Sequence, residues 1–221
     1  MPWKYSRISR QYFCDRSDLK KHRIRQRFRL DRCPLRDYMQ IILTEQSLDD
    51  AKRTYDTHMH RDFPESERKP WDVTVGLRER GIYEMLEARW EGKMVGYAWM
   101  VCPEGSSALI DYLAVLPEFR NSGIGGAILR ELALRYRMRG QSLLLESEFP
   151  EEAPDPAIAV RRLSFYARSG FLDSGVLVRL FGVKFCILSS NADLDAKAQM
   201  RCIYKAMFPG DLYRQAVQFL N

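Results

Sequence analysis

Leu109-Ile-Asp-Tyr-Leu-Ala-Val-Leu-Pro-Glu-Phe-Arg-Asn-Ser-Gly-Ile-Gly-Gly-Ala-Ile-Leu129 is the stretch on which the fold turns. Its first part, Leu109 to Leu116, is an apolar run closed by Pro117 and reads as a strand. Asn121-Ser122-Gly123-Ile124-Gly125-Gly126 then opens an amphipathic segment to Arg139, with Ile124, Ala127, Ile128, Leu132 and Tyr136 near one side, which predicts a helix. Three glycines in four positions leave the first N–H groups of that helix clear of side chains. The positive end of the helix dipole points the same way, so the turn suits an anion such as a pyrophosphate. Arg120 stands at the lip, where a guanidinium can add a charge-assisted bond.

Glycine-rich turns hold several kinds of anion. A P-loop requires Gly-Lys-Ser/Thr, whereas Gly126 is followed by Ala127 and Ile128. A dinucleotide fingerprint requires a third glycine at 128, which is Ile; Glu146 and Glu148 fall near the place of its ribose-binding acid, so that test alone does not exclude it. A close-packed helix start without a ligand is the remaining alternative. A second block, Arg161-Arg162-Leu163-Ser164-Phe165-Tyr166-Ala167-Arg168-Ser169-Gly170-Phe171, follows at the separation that one more helix and strand require. With Arg120-x-x-Gly123-x-Gly125 behind a Val-x-Pro strand end, it resembles the acyl-CoA signature of the GNAT superfamily of N-acetyltransferases, over residues 38 to about 190.

The pass along the chain agrees with that resemblance. Tyr38 to Thr44 reads as a strand, and Ser47 caps a helix to about His60. A turn from Asp62 to Pro70 leads to a helix stopped by Gly81. Ile82 to Arg89 and Met94 to Val101 read as a hairpin around Glu91-Gly92-Lys93. After the glycine turn and its helix come a strand at Ser142 to Glu146, an acidic loop, a helix at about Ala157 to Ser169, and strands near Leu172 to Leu180 and Val183 to Ser189. Asp193 to Met207 and Asp211 to Leu220 read as two helices broken at Pro209-Gly210. The resemblance implies an α/β fold of GNAT type: a mixed central sheet of six to seven strands with a V-shaped splay, flanked by helices, plus the C-terminal helices. Three parts are expected: a basic extension at 1–37, an acetyltransferase domain at 38–190, and a C-terminal helical appendage at 191–221 packed on that domain.

Charge and cysteine usage bound the partners. The net charge is +6, yet residues 1–37 hold twelve Lys and Arg against four Asp, which leaves the rest at −2. The basic character therefore belongs to the arm. Arg23 to Leu30 alternates cations with mostly apolar residues and suits an edge strand, a nucleic-acid contact or a solvated extension. No apolar run reaches the roughly 18–20 residues a membrane span needs; Val176 to Leu188 is broken by Arg179 and Lys184. No secretory h-region is visible, and four aspartates argue against a mitochondrial presequence. Five cysteines without a CxxC pair suit a reducing compartment, so a cytoplasmic protein is expected. No metal is expected, because His58 and His60 diverge on a helix.

By resemblance, pantetheine inserts between the splayed strands and meets the backbone of Leu113, Ala114 and Val115. Arg120, Asn121, Ser122, Gly123, Ile124, Gly125, Gly126 and Ala127 then surround the pyrophosphate of acetyl-CoA, the expected cosubstrate. Tyr166 holds the place of the family's tyrosine, which hydrogen-bonds the departing sulfur and acts as general acid. Many members carry Asn and Ala seven and four residues before it; here they are Ala159 and Arg162, so Arg162 is assigned to CoA phosphate instead. A lysine-like amine of pKa ~10.4 stands about 3.4 units above pH 7, and freeing its lone pair costs about 4.6 kcal/mol. Candidate bases are Glu84, Asp111, Glu146 and Glu148, with Glu84 and Glu146 preferred. Phe63, Glu65, Glu67 and Asp111 are assigned to the acceptor, and Trp71 to its wall. The expected function is acetyl transfer from acetyl-CoA to a small-molecule primary amine by direct attack in a ternary complex. Two alternatives stand beside it: a protein or peptide N-acetyltransferase, for example ribosomal, and a non-catalytic CoA-sensing or nucleic-acid-binding module using the arginine-rich arm. Nucleic acid is expected only through residues 1–37, a membrane partner not at all, and a homodimer is left open.

Overall fold

The computed structural model describes residues 39–221. The expected basic arm lies outside the described residues. One eight-stranded sheet runs in the order β1-β2-β3-β4-β5-β7-β6-β8. Its strands are β1 (Ile42–Glu45), β2 (Tyr83–Trp90), β3 (Lys93–Val101), β4 (Ala108–Val115), β5 (Leu143–Glu148), β6 (Leu172–Leu180), β7 (Val183–Ser189) and β8 (Val217–Phe219). Every neighbouring pair is antiparallel except β4–β5.

Local chemistry sets most of these elements. Glu91 and Gly92 join β2 to β3 with φ of 50° and 76°, as the right-handed twist of a tight hairpin requires. Ser47 accepts from the Asp50 N–H at 3.1 Å and starts α1 (Leu48–Thr54), which runs on through a π turn (Tyr55–Met59) and a last helical turn (His60–Asp62). The remaining helices are α2 (Trp71–Glu79), α3 (Ile124–Met138), α4 (Pro156–Arg168), α5 (Ala196–Met207) and α6 (Gly210–Ala216). No described helix is long and apolar enough to cross a membrane.

Two expectations are corrected here. The sheet has eight strands, not six to seven, and the expected second C-terminal helix ends at Ala216. Val217, Gln218 and Phe219 instead pair with Leu180, Arg179 and Val178 and cover the open edge of β6. The C-terminal segment is thus helix and strand rather than helices alone.

Alternation along the strands divides the core between the two faces. One face packs Tyr97, Trp99, Leu109, Tyr112 and Leu144 against α1, α2 and α5. The other packs Ala98, Ile110, Leu143 and Leu145 against α3, with Phe165 and Tyr166 of α4 at its margin. The β3–β4 register passes from Trp99↔Tyr112 to Met100↔Ile110, so Asp111 is an extra residue in β4.

Candidate functional site

β4 and β5 run together only at Ala108↔Leu143, Leu109↔Leu144 and Ile110↔Leu145. β5 then stays with β7 through Glu148, and β4 stays with β3 through Val115. The two strands fork after Ile110 and Leu145. Across β3, the Leu116 N–H donates to the Val95 carbonyl at 2.9 Å, so the alternate residues Leu113 and Val115 turn their backbone groups into the fork.

The glycine turn lies just past the end of β4. Gly123 has φ 88° and precedes α3, and Asn121 has φ 62°. The first backbone bond of the helix start is Ala127 N–H to Gly123 carbonyl. Among the described residues, no acceptor meets the N–H groups of residues 121 to 126. Six donors are therefore left without acceptors around a helix N-terminus, an arrangement that suits an anion by dipole. A Cβ on Gly125 would sit 3.2 Å from Phe165 Cζ and 3.5 Å from Val115 Cγ2, so α4 and β4 close on the turn at that point.

Arg120 stays half-exposed but is tied down by two hydrogen bonds. Its Nε donates to the Val115 carbonyl at 3.0 Å and its Nη2 to Asp62 Oδ1 at 2.8 Å. Asp62 is buried and also accepts from Arg61 and, at 3.1 Å, from the Tyr97 hydroxyl. Arg162, also expected on phosphate, pairs with Glu148 at 2.8 Å. Tyr166 is half-buried, with ring centroids 5.3 Å from Phe165 and 6.3 Å from Phe171. Burial pushes its phenol up, keeping it a donor, and among the described residues its hydroxyl has no hydrogen-bond partner.

The floor of the fork carries the acids. Asp111 accepts from Lys69 Nζ at 2.6 Å and from the Tyr83 hydroxyl. Burial alone would lower the Lys69 ammonium, but Asp111 beside it holds it above its ordinary value. Glu146, the first residue of β5 beyond the last parallel pair, accepts at Oε1 from Tyr204 of α5. Burial pushes its carboxyl up to about 7, against the opposing pull of the Tyr204 hydrogen bond. Partial burial and the charge of Glu148 raise the Glu67 carboxyl, with Arg162 opposing. Phe63 packs edge-on against Tyr112 at 5.0 Å, and Trp71 joins the Tyr55–Trp99 aromatic cluster. Glu65 lies exposed on the short 3₁₀ turn Glu65–Glu67.

Glu84 is not brought to this place. It faces the side of the sheet opposite Tyr83 and is bound by Arg135 at 3.3 Å and by Arg139, at the C-terminal end of α3. That helix has 15 residues and is about 22 Å long, so Glu84 is held at the end away from the glycine turn. A cavity of about 510 Å³ opens at that end between Glu84, Cys102, Ser106, Arg139 and Gln199, remote from the fork. Sequence reasoning missed Lys69, Tyr83 and Tyr204 around the acids, and Asp62 and Tyr97 around Arg120. None carried a motif; the nearest signal was the amphipathic spacing that buries one side of α5.

The sequence profile of the acetyltransferase (GNAT) domain matches residues 81–172. No curated protein sequence matches the chain. Among solved structures, a protein of Bacteroides thetaiotaomicron described as a GNAT-family acetyltransferase is 18% identical, with a TM-score of 0.59, covering 73% of this chain and 93% of its own. The ribosomal-protein-S18-alanine N-acetyltransferase of Escherichia coli is 19% identical, with a TM-score of 0.50 and coverage of 68% and 92%. A spermidine N-acetyltransferase SpeG chimera from Vibrio cholerae and hSSAT is 14% identical, with a TM-score of 0.52 and coverage of 68% and 94%. At these identities the likeness is one of fold.

Proposed function

We propose that the protein, whose residues 81–172 match the profile of the acetyltransferase (GNAT) domain, moves an acetyl group from acetyl-CoA to the primary amine of a small molecule, by direct attack in a ternary complex. One observation carries the reading: a row of six acceptor-less N–H groups at residues 121 to 126 lies beside a fork lined by the backbone of Leu113 and Val115. An anion cradle next to an open strand edge fits a ligand with a diphosphate and an extended amide arm. Acetyl-CoA has both, and supplies the thioester.

The chain's own residues divide the work. Residues 121 to 126 bind the diphosphate through backbone donors, and Leu113 and Val115 align the pantetheine arm. The Tyr166 hydroxyl, which has no acceptor of its own among the described residues, donates to the sulfur. A phenol is a weaker acid than the thiol, so the bond stabilises thiolate more than it transfers a proton. Glu146 takes the proton from the attacking amine, and burial sets its carboxyl near neutral pH, where a base serves best. Glu67 and Glu148 at the mouth attract the ammonium form of the acceptor. Arg120, half-exposed and holding the Val115 carbonyl through Nε, adds its charge beside the diphosphate.

The fold neighbours named above include enzymes for spermidine and for a ribosomal-protein alanine, so the test spans both classes. Thiol release from acetyl-CoA is measured against a polyamine, an amino sugar, free amino acids and a peptide with an N-terminal alanine. The expected result is saturable turnover with a small amine. Turnover confined to the peptide overturns the small-molecule assignment. Acetyl-CoA binding without turnover on any amine favours the sensing alternative.

A further inference from the structure

We propose that α5, which lies outside the matched domain, completes the active site, with Tyr204 as a positioning residue that fixes the Glu146 carboxylate at the fork. The inference rests on the reading of Glu146 as the base.

The two acids nearest the fork differ in what they have left to offer. Asp111 gives its two oxygens to Lys69 and Tyr83. Glu146 gives only Oε1, to the Tyr204 hydroxyl, and its Oε2 carries no hydrogen bond among the described residues. One carboxylate oxygen is thus fixed and the other is available to a substrate proton.

The phenol is itself clamped. Tyr204 is fully buried, with its ring 6.1 Å from Phe208 and 6.2 Å from Phe219. Phenylalanine would fill that space equally well, and a buried hydroxyl demands a partner. The partner here is a carboxylate 58 residues earlier in the chain. The titratable groups facing Glu146 are Tyr204 from α5, Asp111 from β4 and Lys69 from the loop before α2. From β7 its register partner is Ile187, which does not titrate.

A hydrogen bond donated to the carboxylate favours its ionised form, so removing it moves the acid limb of the kcat/KM profile upward. The test compares full-length wild type with Tyr204→Phe and Glu146→Gln, together with acetyl-CoA affinity and Tm. For Tyr204→Phe we expect the acid limb to rise by about one pH unit with unchanged acetyl-CoA affinity. An equal loss at every pH, or an unmoved limb, overturns the role of Tyr204. If Glu146→Gln keeps the wild-type profile, the base assignment itself fails, and that result is separate from the Tyr204 outcome. Should Tyr204→Phe not fold, Phe208→Leu keeps the hydroxyl but loosens the ring, and a smaller shift in the same direction is expected; no shift overturns the proposal.

Discussion

In the proposed reaction Tyr166 and Glu146 serve opposite ends of one transfer, and their substitutions separate binding from chemistry. Tyr166→Phe is expected to lower kcat about tenfold, the worth of one hydrogen bond to developing charge, with little change in acetyl-CoA affinity; steady-state kinetics beside calorimetric titration check it. Gly125→Val should do the reverse. A Cβ there already presses on Phe165 Cζ at 3.2 Å, so affinity is expected to fall about tenfold or more as α4 is pushed from the turn. Glu146 also writes itself into stability. Its folded carboxyl lies near 7 against 4.5 in the unfolded chain, so its contribution is fully present below pH 4.5 and is lost as pH rises through 7. The loss is on the order of 3 kcal/mol. Wild type should therefore lose more stability than Glu146→Gln between pH 4.5 and 8 in denaturant titrations. The glycine turn was legible in the sequence because its chemistry is local, three glycines within four residues. The Tyr204–Glu146 bond was not, because its partners are distant in sequence and meet only through the sheet.

The helix α3 shows how much an element decides. Its start presents free N–H groups and its end gathers Arg135 and Arg139, which suit the negative end of the dipole. The sequence reading set Glu84 in the cleft, whereas these arginines hold it at the far end. Periodicity identifies which face of β2 a residue occupies only after the partner strand is known. Glu84→Gln is expected to leave turnover within about twofold of wild type and to cost about 1 kcal/mol, as partly exposed ion pairs do; a kinetic and thermal comparison decides. Most strands and helices were legible from apolar period and turn residues. β8 escaped because three residues after a short helix carry too little period to read, and an open edge on β6 selects them as strand. The bulge at Asp111 escaped for a like reason, since one extra residue leaves the apolar run of β4 intact.

At the largest scale, two packed faces of the described residues surround a single sheet, and its fork lies near the middle. The family resemblance anticipated this plan and the comparisons agree in fold. Strands β1 to β4 and strands β5 to β8 form two four-stranded slabs, welded by three residue pairs. The sheet thus has a fault line running toward the proposed site, where, among the described residues, backbone amides of β4 lack a ladder partner. Hydrogen exchange at Leu113 and Val115 is expected to be fast in the free protein and slowed when coenzyme A is added; equal exchange in both states would show that nothing lies along the gap. The cosubstrate would then serve as mortar as well as donor, so the cohesion of the two slabs would rise and fall with the supply of activated acetate.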